Sequence, residues 1–363
     1  MRFPVSIEAR TERAGFAGLV PLLVAMGTTA IVSVVILSFI GVSPGRAIYY
    51  LYLSPFTSVF NLAEVILKAA PLMLIAQALA IGFRARVWNI GAEGQLIVGA
   101  IGASLLPIWF NASTSPLMLP AMAVMGALFG MGWASIAALL RARFNANEIL
   151  VTLMLNSIAL QLLYYLVSGP LRDPMGFNFP QSAHFPPVAM LPILIEGTRA
   201  NVSILIALLA SFAAWVFMER SFPGYKLQVG GLAPEAARYA GFSEKRAIWI
   251  SLLLGGMAAG LVGAFELAGP LGQLQRVVSP GYGFAAITVA FLGGLRAPGI
   301  VVSAFFMAVI YVGGDIAQTS AEVPYSVNTI LQGLLLATYI AARVLIDYRV
   351  RINPRFLSWK GQH

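Results

Sequence analysis

Long apolar runs with almost no charge inside them restrict this chain to one kind of solvent. The run from Phe16 to Ile40 contains no charged residue, and similar runs recur along the chain. About 20 such residues in a helix cross the roughly 30 Å of a bilayer's hydrocarbon. In lipid every backbone amide must be paired within the chain, which leaves only helices and closed barrels. The runs do not alternate between apolar and polar residues, and that excludes a barrel. The expected fold class is therefore all-α, a polytopic transmembrane helical bundle. Composition agrees: 59% of the residues are hydrophobic and 10% charged, with a mean hydropathy of +0.84. A soluble domain carries roughly 25% charged residues. The first run is too long for the apolar core of a cleavable signal and lacks a small-residue cleavage site, so no signal peptide is expected.

The expected spans lie near 16–40, 62–83, 92–110, 117–140, 149–168, 200–219, 248–268, 284–295, 297–315 and 327–346. The eighth is too short to cross as a straight helix and reads as a half-helix or re-entrant segment. Charge sets the orientation. With the N-terminus inside, only Arg46, Lys68, Arg172, Arg199 and Arg276 of the 23 basic residues fall outside. Cytoplasmic loops carry the excess of Lys and Arg, so both ends are expected in the cytoplasm, N-in/C-in. That also accounts for the net charge of +9. No basic–aromatic patch accompanies it, so nucleic acid is not an expected partner. Residues 169–199 fall outside and hold six prolines, so they cannot form one helix, although short cap helices over the outer mouth are open to them.

Several chemistries are poorly supplied. Cysteine is absent and histidine occurs only at His184 and His363, so no metal site is expected. There is no Gly-Lys pair for a phosphate loop and no His-Glu-x-x-His. An enzyme is not expected, and ATP cannot be held here in the P-loop manner.

Polar residues concentrate in a few places. In Trp88-Asn-Ile-Gly-Ala-Glu-Gly-Gln95, Gly91 and Gly94 interrupt helix geometry while Asn89, Glu93 and Gln95 supply donors and acceptors. An ionisable residue at membrane depth is a functional candidate. The alternative is a cytoplasmic turn in which Glu93 neutralises a nearby arginine. Glu148, Thr152 and Asn156 recur every four residues and share one helix face. That face either lines a hydrophilic path, with Asn156 the stronger candidate, or joins helices by hydrogen bonds, which suits Thr152. Glu64 and Lys68 are spaced as a helical ion pair.

Gly281 and Gly283 interrupt the second half as Gly91 and Gly94 interrupt the first, and paired interruptions point to a repeat-built transporter. In the loop 220–247, Pro234 suits a first helical turn, Glu235 its positive end and Gly241 its termination. A short helix from Pro234 to Ala240 is expected, with Ser243 capping the span that follows.

These segments resemble a known family. Asn89-Ile-Gly-Ala-Glu-Gly-Gln95 is similar to the signature of permease subunits of bacterial ABC importers for nucleosides and simple sugars. These belong with the branched-chain amino acid and ribose permeases. Asn147-Glu-Ile149 with Leu153-Met-Leu-Asn156, Ser279-Pro-Gly-Tyr-Gly-Phe284 and Ala290-Phe-Leu-Gly-Gly-Leu295 resemble the same subgroup. The stretch Ala236–Gly241 looks like that family's coupling helix, and the likeness extends from about residue 60 to 346.

The resemblance implies one transmembrane permease domain over 1–363, in the bacterial inner (plasma) membrane. Its pathway would be lined by Asn89, Glu93, Gln95 and Asn156, and its coupling to an ATPase carried by Glu235, Arg238, Tyr239 and Gly241. The implied partners are ATP-binding subunits, a second homologous permease subunit and a periplasmic or lipid-anchored solute-binding protein. No cofactor is expected on this chain, since ATP and Mg would be used by the ATPase. Nucleosides are the expected solute. A simple-sugar permease and an ion-coupled secondary transporter are the competing readings.

Overall fold

The structure is a computed structural model that describes residues 5–9, 20–39 and 41–352. Of the expected cytoplasmic arginines and lysines, Arg2, Arg10, Arg13, Arg355 and Lys360 lie outside these residues, as do the edges of the first expected span. In chain order the elements are β1 (Val5–Ala9), α1 (Val20–Phe39), α2 (Pro44–Ile48), α3 (Val59–Arg84), α4 (Ala92–Trp109), α5 (Met118–Phe144) and α6 (Glu148–Ser168). They continue with α7 (Ser203–Arg220), α8 (Phe222–Leu232), α9 (Pro234–Tyr239), α10 (Glu244–Glu266), α11 (Tyr282–Leu292), α12 (Ala297–Ala321), α13 (Tyr325–Asp347) and β2 (Tyr348–Ile352). Among the described residues seven helices are long and apolar enough to cross a membrane. Shorter apolar stretches at Leu23–Phe39, Tyr282–Leu292 and Thr329–Ala342 complete the ten expected runs in order. The eighth is the short one: α11 has 11 residues, about 16 Å at 1.5 Å per residue.

The chain forms two compact units, parted within α12 at Gly313–Gly314. The first takes the residues up to Tyr52 and from Gly314 onward. There α1 packs along α13, and Leu37, Ala47, Leu51, Val323, Val327 and Leu331 share one apolar cluster. β1 and β2 pair antiparallel, with Val5 opposite Ile352 and Ala9 opposite Tyr348. The reading from hydropathy contains no strands. Val-Ser-Ile-Glu-Ala and Tyr-Arg-Val-Arg-Ile do alternate with a period of two, which is a strand signal outside the apolar runs. Their pairing brings both ends of the described chain together.

The second unit, Leu53–Gly313, holds the polar segments. Lipid tails are as apolar as leucine, so helices there associate through close packing rather than the hydrophobic effect. Close packing here follows a glycine seam. On α5 Gly126 and Gly130 are four apart, as are Gly256 and Gly260 on α10. A Cβ at Gly130 would run into the Gly256 carbonyl, and one at Gly260 into the Gly126 carbonyl. Gly99 of α4 meets the same seam at Gly260.

Residues 169–199 form turns and a single 3₁₀ turn at Pro187–Ala189 rather than cap helices. Their prolines rule out helix, and their amides bond instead to the connection between α10 and α11. Ser182 N donates to Leu274 O at 2.8 Å, Phe185 N to Gly272 O at 2.9 Å and Leu191 N to Ala268 O at 2.7 Å.

Candidate transport pathway

The entry to α4 is the irregular backbone that the Gly-rich run foreshadows. After α3 ends, Val87 N donates back to Gly82 O at 3.0 Å, and the chain then leaves helix until Ala92. The Trp88 ring lies 5.2 Å from that of Phe83 and 6.0 Å from that of Phe291, centroid to centroid. Asn89 folds back on itself: its Oδ1 accepts from Gly91 N at 2.9 Å. Its amide pairs with that of Gln95 in both directions, at 2.9 and 3.1 Å. Asn89 and Gln95 are 3% and 2% exposed.

Depth follows from the neighbours. A Cβ added to Gly255 would lie 2.5 Å from Asn89 Nδ2, and Gly255 is the midpoint of the 23 residues of α10. The run 89–95 thus lies inside the bundle, at the level of the middle of α10.

The shared face of Glu148, Thr152 and Asn156 meets this non-helical segment. Asn156 Oδ1 accepts from Gly94 N at 2.8 Å while Asn156 Nδ2 donates to Ile90 O at 2.9 Å. Thr152 Oγ1 accepts from Ile90 N at 3.3 Å, and Glu148 Oε1 from Trp88 N at the long limit of 3.5 Å. Gly91 and Gly94 make this approach possible. A Cβ at Gly91 would lie 2.8 Å from Thr152 Cβ, and one at Gly94 2.8 Å from Asn156 Cα. In lipid an unpaired backbone group costs several kcal/mol, so the stripe on α6 is what permits a non-helical stretch here. Asn156→Leu is expected to strand the Gly94 amide and the Ile90 carbonyl, at about 1–3 kcal/mol each. Thermal unfolding of the purified chain in detergent would read this, and an unchanged midpoint would remove the clamp.

The second interruption abuts the first. Gly281 has φ +92°, which favours glycine, and precedes α11. Ser279 Oγ accepts from Gly281 N at 3.1 Å and Tyr282 N at 2.9 Å. Glu93 Oε2 then accepts from Gly283 N at 2.7 Å. A Cβ at Gly283 would overlap the Glu93 backbone, so α11 starts directly against the start of α4. Both helices begin inside the bundle, and the Glu93 carboxylate sits at the positive end of α11, the end that favours an anion. The structure therefore brings Asn89, Glu93, Gln95, Asn156, Gly91, Gly94, Gly281 and Gly283 together.

Glu235, Arg238, Tyr239 and Gly241 lie elsewhere, on the loop between α7 and α10. The short helix α9 runs from Pro234 to Tyr239, with Pro234 in its first turn. Gly241 takes φ +77° and donates to Arg238 O at 3.1 Å, closing the helix, and Ser243 Oγ accepts from Arg246 N at 3.4 Å to start α10. Glu235 and Arg238 are exposed, and Tyr239 is 97% exposed. Behind α9, α8 rests on the end of α3, where Gly231 approaches the Arg84 carbonyl. Arg84 itself bonds Glu219 of α7 at 2.7 Å and the Leu295 carbonyl at 2.8 Å, tying α3 and α7 to the α11–α12 turn.

A cluster that sequence spacing does not reveal lies on the outer side. Glu64 has a partner that its spacing to Lys68 does not reveal. Its carboxylate takes two bonds from Arg199, at 2.9 and 2.7 Å, across 135 positions of sequence. Lys68 Nζ lies 5.7 Å from the centroid of the Tyr311 ring. Glu64, Lys68 and Arg199 border a cavity of about 250 Å³, with Glu266, Gln275, Tyr282 and the apolar Leu67, Pro270 and Val277 among its other walls.

Comparison with known proteins places this architecture. Residues 61–339 match the family described as "Branched-chain amino acid transport system / permease component". A glucose ABC transporter permease of Haloferax volcanii is 35% identical, covering 94% of this chain and 92% of its own length. A guanosine ABC transporter permease of Bacillus subtilis is 31% identical, covering 94% and 97%. A nucleoside ABC transporter permease of Lactococcus lactis is 26% identical, covering 91% and 92%. A second guanosine permease of Bacillus subtilis matches over 66% of this chain, at 25% identity. With its multi-pass helical bundle, and with family likeness across most of its length, the chain belongs to the branched-chain amino acid transport system permease family.

Proposed function

We propose that this protein is the permease subunit of an ATP-driven importer that brings nucleosides across the plasma membrane by alternating access. The observation that carries the reading is the pair of helices broken inside the bundle at Glu93 and Gly283, in a chain whose relatives are named for guanosine, nucleosides and glucose. Irregular backbone at membrane depth is tolerated where it is buried or lines a cavity. Such a junction can shift between two packings without unfolding a whole span.

Energy comes from separate ATP-binding subunits that use ATP and Mg. They dock on α9 through Glu235, Arg238 and Tyr239, while Gly241 lets the loop turn back into α10. ATP binding moves α9, and the motion passes through α8 and Arg84 to the end of α3 and the α11–α12 turn. Rigid-body shifts of packed helices then open the path outward. ATP drives this only because it binds the two states unequally. Asn89, Glu93, Gln95 and Asn156 shape the pathway by holding the broken segments, and their side chains bond mainly to backbone and to one another. A periplasmic or lipid-anchored binding protein delivers the solute. Two guanosine permeases of Bacillus subtilis match this chain, which supports a transporter built from two different permeases.

The test is uptake of radiolabelled guanosine and glucose by vesicles holding this chain with its partner subunits. Guanosine accumulation only with ATP at the cytoplasmic face is the expected result. Accumulation of glucose alone would change the solute and keep the mechanism. Uptake that ignores ATP and follows a proton or sodium gradient would overturn the importer reading in favour of a secondary transporter.

A further inference from the structure

The elbow between α7 and α8 joins a span to the loop that carries α9. α7 turns Leu205, Leu209, Phe212 and Val216 outward, the apolar face of a membrane helix. One residue, Ser221, separates its end at Arg220 from α8, so α8 starts where the span leaves the hydrocarbon. α8 has two faces. Gly224 and Gly231 press one of them against backbone: a Cβ at the first would overlap the Phe217 carbonyl, and one at the second the Arg84 carbonyl. Leu227 is buried on the same side. Phe222, Tyr225 and Leu232 lie on the other side and are exposed. Large apolar side chains at this level suit the boundary between acyl chains and headgroups. Two cations stand among these rings. The Arg220 guanidinium lies 5.4 Å from the centroid of Trp215, which packs on Phe212 at 5.9 Å. Lys226 Nζ lies 4.4 Å from the centroid of Phe222 and 5.3 Å from that of Phe242. Ring faces attract the charge and leave the N–H donors of both groups to be satisfied. Among the described residues neither cation has a carboxylate or a hydrogen-bonding partner. The carboxylate beside them, Glu219, is taken by Arg84 at 2.7 Å.

We infer that the α7–α8 elbow is a docking surface for an anionic phospholipid of the cytoplasmic leaflet, with Arg220 and Lys226 on its phosphate and Phe212 and Trp215 along its acyl chains. Two observations argue for this occupant: the charge of the elbow, and its continuity with the outward apolar face of α7. Arginine and lysine donors suit phosphate oxygens. Aromatic rings and basic side chains gather at the headgroup level of spans, and the negative cytoplasmic leaflet draws basic groups to it. A phosphate without acyl chains fits the cations and leaves the rings unused. α9 follows directly on α8, so the bound lipid steadies the helix that leads into the coupling segment. The site itself does not depend on the importer reading.

The test uses the full chain in nanodiscs of phosphatidylcholine that hold a small share of brominated lipid, whose acyl chains quench nearby tryptophan. Trp215 is read in each background as the difference made by Trp215→Phe. Brominated phosphatidylglycerol should quench Trp215 with a preference of at least about fivefold over brominated phosphatidylcholine, the enrichment expected from one basic side chain at the headgroups. Arg220→Gln together with Lys226→Met should abolish the preference, and Arg220→Lys together with Lys226→Arg should keep it. Both positions are exposed, so folding does not decide the result. Equal quenching by the two lipids in the native chain, or a preference that survives the loss of both charges, would overturn the site. Reversal by excess inorganic phosphate would make the ligand a small anion and remove the lipid. Loss of the preference on adding the ATP-binding subunits would assign the face to them and remove the lipid as well. No uptake is measured, so the importer reading stands or falls separately.

Discussion

Gly130→Ala is expected to destabilise the bundle by about 3 kcal/mol or more, while Gly132→Ala, two residues away on the same helix, leaves it unchanged or slightly more stable. A Cβ at Gly130 would meet the Gly256 carbonyl and lie 2.8 Å from Gly260 Cα, and a Cβ at Gly132 would meet nothing within 4 Å. The obstruction at Gly130 is backbone on α10, so no side chain can rotate away. Relief requires α5 and α10 to separate, and separation opens the whole seam at Gly126, Gly256 and Gly260. Without a hydrophobic force between helices in lipid, lost close packing has little to replace it. Against a total stability of about 5–15 kcal/mol, a loss of that size lowers the amount of folded protein. At Gly132 the backbone entropy saved by alanine in a helix works in the opposite direction, by up to about 1 kcal/mol. The check is thermal unfolding of both purified variants in detergent, beside their amounts in the membrane. Equal midpoints for the two would show that the seam does not hold α5 to α10.

The seam also marks where sequence reasoning stops. Ten apolar runs, their order and the shortness of the eighth follow from hydropathy, because length and charge are local properties. α9 was legible nearly to the residue for the same reason: Pro234 and Gly241 fix its ends through backbone chemistry. The face shared by Glu148, Thr152 and Asn156 was legible as a face, since a period of four is local. What it touches was not, because that depends on where the segment 88–94 runs, some 60 positions away. Glu64 shows the same limit. Its spacing to Lys68 is local, but its bonds to Arg199 of the external segment, 135 positions away, are not. The depth of 89–95 was undecidable from spacing because extended residues and a cytoplasmic turn share the same composition. Contact with Gly255 puts the run inside the bundle, beside the middle of α10.

Arg238→Glu is expected to abolish ATP-driven uptake while leaving the protein folded and in the membrane. Arg238 is exposed on α9 and lies in the last turn of that helix, where a cation complements the negative end of the dipole. Its loss costs the fold little, since surface substitutions of this kind stay within about 0.5 kcal/mol. Docking is another matter. A cation buried in an interface and then reversed in sign leaves the partner's groups desolvated against a like charge, a penalty of about 2–5 kcal/mol or more. Each 1.4 kcal/mol is tenfold in affinity, so the ATP-binding subunits would dissociate at working concentrations. Arg238→Lys should keep a substantial part of the uptake, because it retains the charge and loses only the planar fork. Two measurements separate coupling from folding: uptake in vesicles, and co-purification of the ATP-binding subunits with each variant. Loss of uptake together with loss of co-purification is the expected pair. Wild-type uptake with Arg238→Glu would show that α9 is an ordinary surface helix and that the ATPase docks elsewhere.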